Sequence, residues 1–136
     1  MIYYNVLKGG EKPRGSLKDA GLDLRATEGF MIQPGETVKV PLGVSFEIPP
    51  GSFVQLSARS SVALKGVYCH IGTIDASFNG KEVCAIMTNI GDSSEIFLNG
   101  ERVVQAIGLE HKGFSEKSVD ISDEGSKEGF GSTGRT

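Results

Sequence analysis

Five short polar islands are the stretches of this chain whose residue types and spacing suit chemistry rather than packing. In the first, Ala20-Gly21-Leu22-Asp23-Leu24, a carboxylate stands among apolar neighbours and needs a partner, either a ligand or a local turn bond. The second, Arg59-Ser60-Ser61-Val62-Ala63, sets a guanidinium and two hydroxyls at the start of a short helix. Backbone N–H groups, the helix dipole and the arginine fork then converge on one anion-binding place, though a capped helix beside a surface arginine uses the same residues. The third is Gly72-Thr73-Ile74-Asp75-Ala76-Ser77-Phe78-Asn79-Gly80. Asp75 lies there between glycine turns and near an aromatic, which suits a hairpin whose main chain receives a planar ring, or a plain hairpin with a turn aspartate. The fourth, Gly100 to Gln105 (GERVVQ), opens a strand. In the fifth, Gly129-Phe130-Gly131-Ser132-Thr133-Gly134, glycines surround one ring and two hydroxyls. That suits an arm closing over a ligand, with Phe130 stacking and Ser132, Thr133 and backbone N–H groups on phosphate. Standing alone it would read as disorder.

Other chemistries lack their residues. The chain has no GxxxxGK[ST], GxSxG or HExxH pattern. Its histidines are His70 and His111. Zinc would need Cys69, His70 and Cys84 to converge, yet adjacent strand residues point to opposite faces. Cys69 and Cys84 are not spaced as a CxxC pair and read as two reduced core thiols.

Short strands must position the islands. Val38, Val40, Leu42, Val44, Phe46 and Ile48 alternate with their neighbours, predicting one half-buried strand from Thr37 to Ile48, with Pro41 marking an edge or bulge. Pro49-Pro50-Gly51 turns it, and Phe53 to Ser57 reads as the second arm of a hairpin. Glu82–Ile90 and Arg102–Leu109 read as further strands, with turns at Gly91–Ser94 and Asn99-Gly100. The helix expected is short, about Ser61 to Lys65, capped by Ser60 or Ser61 and stopped by Gly66. The expected fold is all-β, a jelly-roll-like sandwich or barrel. The domain covers residues 1–112, and a polar, glycine-rich, flexible C-terminal arm covers residues 113–136.

Composition limits the partners. The 136 residues make one domain, and 19 glycines with 38% hydrophobic content suit tight turns between strands. A net charge of -3 opposes direct nucleic-acid binding, which needs excess lysine and arginine. No apolar run approaches the ~20 residues of a membrane span, and MIYYNVLKGG lacks a signal peptide's basic start and apolar core. The expected setting is therefore the cytoplasm, with a nuclear or viral context left open and no membrane.

In this order and spacing, AGLDL (20–24), ARSSVALKG (58–66), GTIDASFNG (72–80), GERVVQ (100–105) and GFGSTG (129–134) resemble the five motifs of the trimeric dUTP diphosphatase family, over almost the whole chain. The resemblance implies a homotrimer whose active sites are shared between subunits, the arm crossing to a neighbour. It implies hydrolysis of dUTP to dUMP and pyrophosphate by water attack on the α-phosphorus, which keeps uracil out of DNA and supplies dUMP for dTMP synthesis. Asp75 matches the aspartate that activates the water. Mg2+ would ride on the phosphates and water, with Asp23 helping from the outer shell. Arg59, Ser60 and Ser61 match the phosphate-binding segment, Gln105 matches another phosphate contact, and Arg102 braces its loop. Main chain at Gly72 and Ile74 would read the uracil edge, Phe78 would lie under the deoxyribose, and Phe130, Gly131, Ser132 and Thr133 would close the site.

The chain departs from that family at several positions. Ser77 stands where the family often has an acidic residue, Phe78 where it has tyrosine, and His70 where it has a small or apolar residue, a place that suggests packing. The arginine that usually precedes the arm motif is missing; Lys127 would substitute as a point charge, or Arg135 would help. The dCTP deaminases share the fold and the Arg-Ser-Ser start, but usually have arginine where Leu64 stands and a catalytic glutamate that aligns with Ile86. A regulator that binds nucleotide and a protein partner, with weak or secondary catalysis, is a further alternative, opposed by Asp75. A purely structural jelly roll gives no reason for Asp23, Arg59, Asp75 and Gln105 to occur together.

Overall fold

The computed structural model describes residues 1–118. Its strands are β1 (Tyr3–Val6), β2 (Gly21–Arg25), β3 (Phe30–Ile32), β4 (Thr37–Pro41), β5 (Val44–Glu47), β6 (Ser52–Ala58), β7 (Val67–Cys69), β8 (Gly72–Asp75), β9 (Cys84–Asn89), β10 (Glu95–Phe97) and β11 (Arg102–Glu110). One helical turn, α1 (Ser60–Ala63), follows β6, and a 3-10 turn (Ala76–Phe78) follows β8. All strand pairs are antiparallel. They form sheets in the orders β2-β11-β6-β8, β4-β9-β7, β1-β5 and β3-β10, so the all-β fold takes the form of packed sheets rather than a hydrogen-bonded closed barrel among the described residues.

Alternation decides what the sheets enclose. On the four-stranded sheet, Leu24 of β2, Val104 and Ala106 of β11, and Val54 and Leu56 of β6 turn inward. They meet Val40, Ala85, Met87, Val67 and Cys69 of the three-stranded sheet in one apolar cluster. With Ser45, Asn89 is one of two buried polar residues among those described. Its Nδ2 donates to the Ile32 and Ser93 carbonyls at 2.9 and 2.8 Å, and its Oδ1 accepts from Gly91 N–H at 2.9 Å. A fully bonded amide is tolerated there because no group is left desolvated and unpartnered.

The long alternating run of residues 37–48 is two strands rather than one. Gly43 breaks it with a φ of +69°, a conformation that favours glycine, and it sits directly against the Gly10 backbone, where a side chain has no room. The halves separate: β4 pairs with β9, and β5 pairs with β1. The expected hairpin of residues 37–48 with Phe53–Ser57 is also absent. A turn does form, with Ser52 N–H on the Pro49 carbonyl at 3.2 Å, but β6 pairs with β11 and β8. Periodicity reports which face is buried and says nothing of which edge is joined. The short helix forms one residue early and ends before Gly66, whose φ is +83°. Neither serine caps it. Arg59 holds the cap position in extended conformation, and its carbonyl accepts from Val62 and Ala63 N–H at 3.0 and 2.9 Å.

Of the two cysteines, Cys69 is in the core, and burial pushes its thiol up to about 11, so it stays protonated near neutrality. Cys84 is only half-buried and lines a surface groove, which corrects its reading as a core thiol. No helix among the described residues is long and apolar enough to cross a membrane.

Candidate active site

The outward face of the four-stranded sheet brings three of the five islands together. Asp23 of β2 stands opposite Gln105 of β11, and Gln105 stands opposite Ser57 of β6. Arg59 follows directly on β6. Arg102 joins this face because β11 carries a bulge between Arg102 and Val104. The extra residue lets Val103 and Val104, both fully buried, point inward in succession, and it turns Arg102 to the same side as Asp23. Without the bulge, strict alternation would place Arg102 in the core.

The result is a braced ionic cluster. Arg102 Nη1 donates to Asp23 Oδ2 at 3.1 Å, and Arg59 Nε lies 3.4 Å from the same oxygen. Arg59 Nη1 also donates to the Arg102 carbonyl at 3.3 Å. These side chains keep only 22–27% of their surface exposed. Two guanidiniums share one carboxylate, so the cluster keeps an excess positive charge directed at the surface, a fit for an anion. Ser60 and Ser61 are exposed beside it. Gln105 folds over Gly21, where a side chain would collide with its Oε1.

The third island lies at the other end of the same sheet and is an edge, not the expected hairpin. β8 pairs with β6 on one side, while β7 pairs with β9. The far edge of β8 has no strand partner among the described residues, so its outward N–H and C=O groups stay available to a ligand. Beside it opens a groove of about 320 Å³ whose lining includes Gly72, Ile74, Phe78, Leu56 and Cys84. Ile86 lines it too, so the position that aligns with a deaminase glutamate is apolar. Glu82 is the carboxylate of this groove, and its Oε2 accepts from Gly43 N–H at 3.2 Å. A second groove, of about 420 Å³, holds Asp75 together with Phe53, Thr73, His111 and Lys112. Thr73 borders both grooves.

Asp75 ends β8 and caps the 3-10 turn. Its Oδ1 accepts from Ser77 N–H at 3.0 Å and from the Ser77 hydroxyl at 2.5 Å. These two bonds hold its carboxyl below the ordinary carboxylate range, and His111 adds a further pull. Asp75 is therefore an exposed, ionised acceptor at neutral pH. Thr73, His111 and Glu82 were not anticipated from sequence. Alternation along β8 marks Thr73 as outward-facing, whereas nothing local in the sequence brings His111 or Glu82 to these grooves.

Asp75 and Arg59 do not meet within one chain. Asp75 pairs with Phe53 at the start of β6, whereas Arg59 lies six residues further along, roughly 20 Å at strand spacing. Asp23 is three strands across from Asp75 as well. Among the described residues no cluster of His, Cys, Asp and Glu could hold a metal ion. His70 is exposed, with Nε2 2.9 Å from Thr88 Oγ1 and its ring edge-on to Tyr68, so it packs on the surface rather than in the core. Lys127, Phe130, Gly131, Ser132, Thr133 and Arg135 lie outside the described residues.

The family model described as dUTPase matches residues 11–134. A deoxyuridine 5'-triphosphate nucleotidohydrolase of Anaeromyxobacter sp. (strain Fw109-5) is 40% identical over 121 residues, which are 85% of this chain and 82% of that protein. The Pol polyprotein of equine infectious anemia virus (strain Wyoming) is 38% identical over 120 residues, 86% of this chain. The chain spans only 10% of that polyprotein's length. The solved native EIAV dUTPase superposes with a TM-score of 0.76 at 32% identity, covering 88% of this chain and 97% of that one. With a family match spanning nearly its whole length, the chain belongs to the dUTPase family of enzymes.

Proposed function

We propose that this protein hydrolyses dUTP to dUMP and pyrophosphate, and so lowers dUTP available to DNA synthesis while supplying dUMP for dTMP synthesis. The observation that carries the reading is the division of the four-stranded sheet. One end offers a groove for a nucleoside beside an exposed, ionised carboxylate, and the other end offers a braced cationic cluster for phosphates. An α-phosphorus within reach of Asp75 is out of reach of Arg59 on the same chain. A working site therefore combines two copies, as in a homotrimer with shared sites.

In this mechanism the uracil edge meets main chain at Gly72 and Ile74 along the open edge of β8, and Phe78 packs under the sugar. Asp75 Oδ2, the oxygen not engaged by Ser77, accepts a proton from a water. That water's oxygen bonds to the α-phosphorus, the bond to the bridging oxygen breaks, and pyrophosphate leaves carrying that oxygen. Arg59, Ser60, Ser61 and Gln105 of a neighbouring copy hold the phosphates, with Arg59 positioned by Asp23 and Arg102. The donor set fits Mg2+ only as an ion held mainly by phosphates and water. Both arginine contacts fall on Asp23 Oδ2, leaving Oδ1 for a metal-bound water. Bound there, Mg2+ would neutralise phosphate charge. Residues 113–136 would serve as the closing arm, with Phe130 over the base, Gly131, Ser132 and Thr133 on phosphate, and Lys127 supplying a terminal cation.

A pyrophosphate-release assay across dUTP, dTTP, dCTP and UTP, with and without magnesium, tests this. Release from dUTP alone, dependent on magnesium, is expected. Equal turnover of dTTP and dUTP overturns the base specificity, and ammonia from dCTP would identify a deaminase instead.

A further inference from the structure

Position 77 sets this chain's third island apart, and the structure gives the substitution a physical consequence. Two donors from one residue, the Ser77 N–H and its hydroxyl, fall on the same oxygen of Asp75, at 3.0 and 2.5 Å. Asp75 is otherwise exposed, at the end of an edge strand, and an aspartate there would sample several rotamers. A single bond to one oxygen leaves the carboxylate free to pivot. A second bond from the hydroxyl to the same oxygen restricts that pivot and leaves Oδ2 without a bond from Ser77. An acidic side chain at 77 would be ionised. It would offer no hydroxyl donor and would repel the carboxylate instead.

We infer that Ser77 is a positioning residue for Asp75, locking its carboxylate with one oxygen tied to the turn and the other presented to the attacking water. This rests on the reading of Asp75 as the base that activates water. The same bonds keep Asp75 ionised to lower pH than an unsupported carboxylate. The other charged groups around Asp75 are His111 and Lys112, from the segment after β11, while β6 presents uncharged Phe53 and Thr73 is its neighbour within β8. His111 adds a pull toward the ionised form, but it does not fix the carboxylate's orientation. A lowered pKa keeps the base competent as pH falls, so the acid limb of the rate profile lies low and moves to higher pH when the donor is removed.

The test is the pH profile of kcat/KM and single-turnover pyrophosphate release in the 136-residue chain, with Ser77→Ala, Ser77→Thr and Ser77→Asp alongside Asp75→Asn. A 13C-detected titration of the Asp75 carboxyl accompanies the kinetics. Ser77→Ala is expected to move the acid limb and the Asp75 titration to higher pH. It should also lower plateau turnover about tenfold, the scale of one hydrogen bond to a charged group, with KM little changed. Ser77→Thr keeps the hydroxyl and restores the parent profile. Ser77→Asp moves the limb further than alanine does. If Asp75→Asn abolishes turnover while Ser77→Ala leaves limb, plateau and titration at parent values, Ser77 has no positioning role and the base assignment stands. If Asp75→Asn retains full turnover, the base assignment falls and this inference falls with it.

Discussion

The two ends of the four-stranded sheet carry carboxylates in opposite circumstances. Asp23 is largely buried, shared by two arginines from two other elements, and fixed by contacts that span the sheet. Asp75 is exposed, and its partners lie two residues away on its own turn. A carboxylate locked between guanidiniums is electrostatically satisfied and makes a poor proton acceptor. An exposed carboxylate held by neutral donors on one oxygen keeps the other oxygen for chemistry. The ionic cluster therefore belongs to binding and the lone aspartate to the proton, although both sit beside short glycine-containing motifs.

Asp75→Asn should break the comparison most sharply. The amide keeps the shape and loses the base, so dUTP binding measured by calorimetry should persist while turnover falls at least ~10²-fold, the low end for loss of a general base. Arg59→Ala should act on the other side of the division. It should raise KM more than it lowers kcat, because it removes a phosphate contact and leaves the proton acceptor in place.

Mixing those two defective chains sharpens the argument. When the carboxylate and the guanidinium of one site come from different copies, Asp75→Asn and Arg59→Ala protomers complement each other. Random reassembly at equal amounts then restores about a quarter of parental activity, because each two-chain site needs both correct contributors. Size-exclusion chromatography with light scattering checks that mixed trimers form. No recovery in verified mixed assemblies would place both groups in one chain's site, against the strand register.

Much of this division was legible in the sequence, and the misses have specific causes. The alternation of residues 37–48 correctly marked Val40, Leu42, Val44, Phe46 and Ile48 as core. It could not reveal that Gly43 bends the chain and sends its halves to different partners, since that depends on the close approach of Gly10. Asp23, Arg59 and Gln105 were grouped as candidates by motif, and the structure brings them together. Arg102 turns toward them because of a bulge that no periodicity displays. Asp75 was read as a hairpin aspartate, whereas it ends an edge strand. Its link to His111 depends on where β11 ends, a long-range outcome of strand register.

The mildest expected effect concerns stability. Asp23→Asn removes the shared charge and leaves two partly buried guanidiniums facing each other. Their repulsion and lost bonds should cost about 1–2 kcal/mol, between the values for exposed and fully buried ion pairs. Urea unfolding at fixed protomer concentration reads this directly, since assembly makes stability concentration-dependent. The midpoint should fall more for Asp23→Asn than for Asp75→Asn, whose side chain is exposed and bonded only to its own turn. Equal midpoints for both variants would mean that the arginine pair is satisfied by solvent and that Asp23 is not the brace. The cationic cluster would then have to be held in place by the Arg59 bond to the Arg102 carbonyl alone.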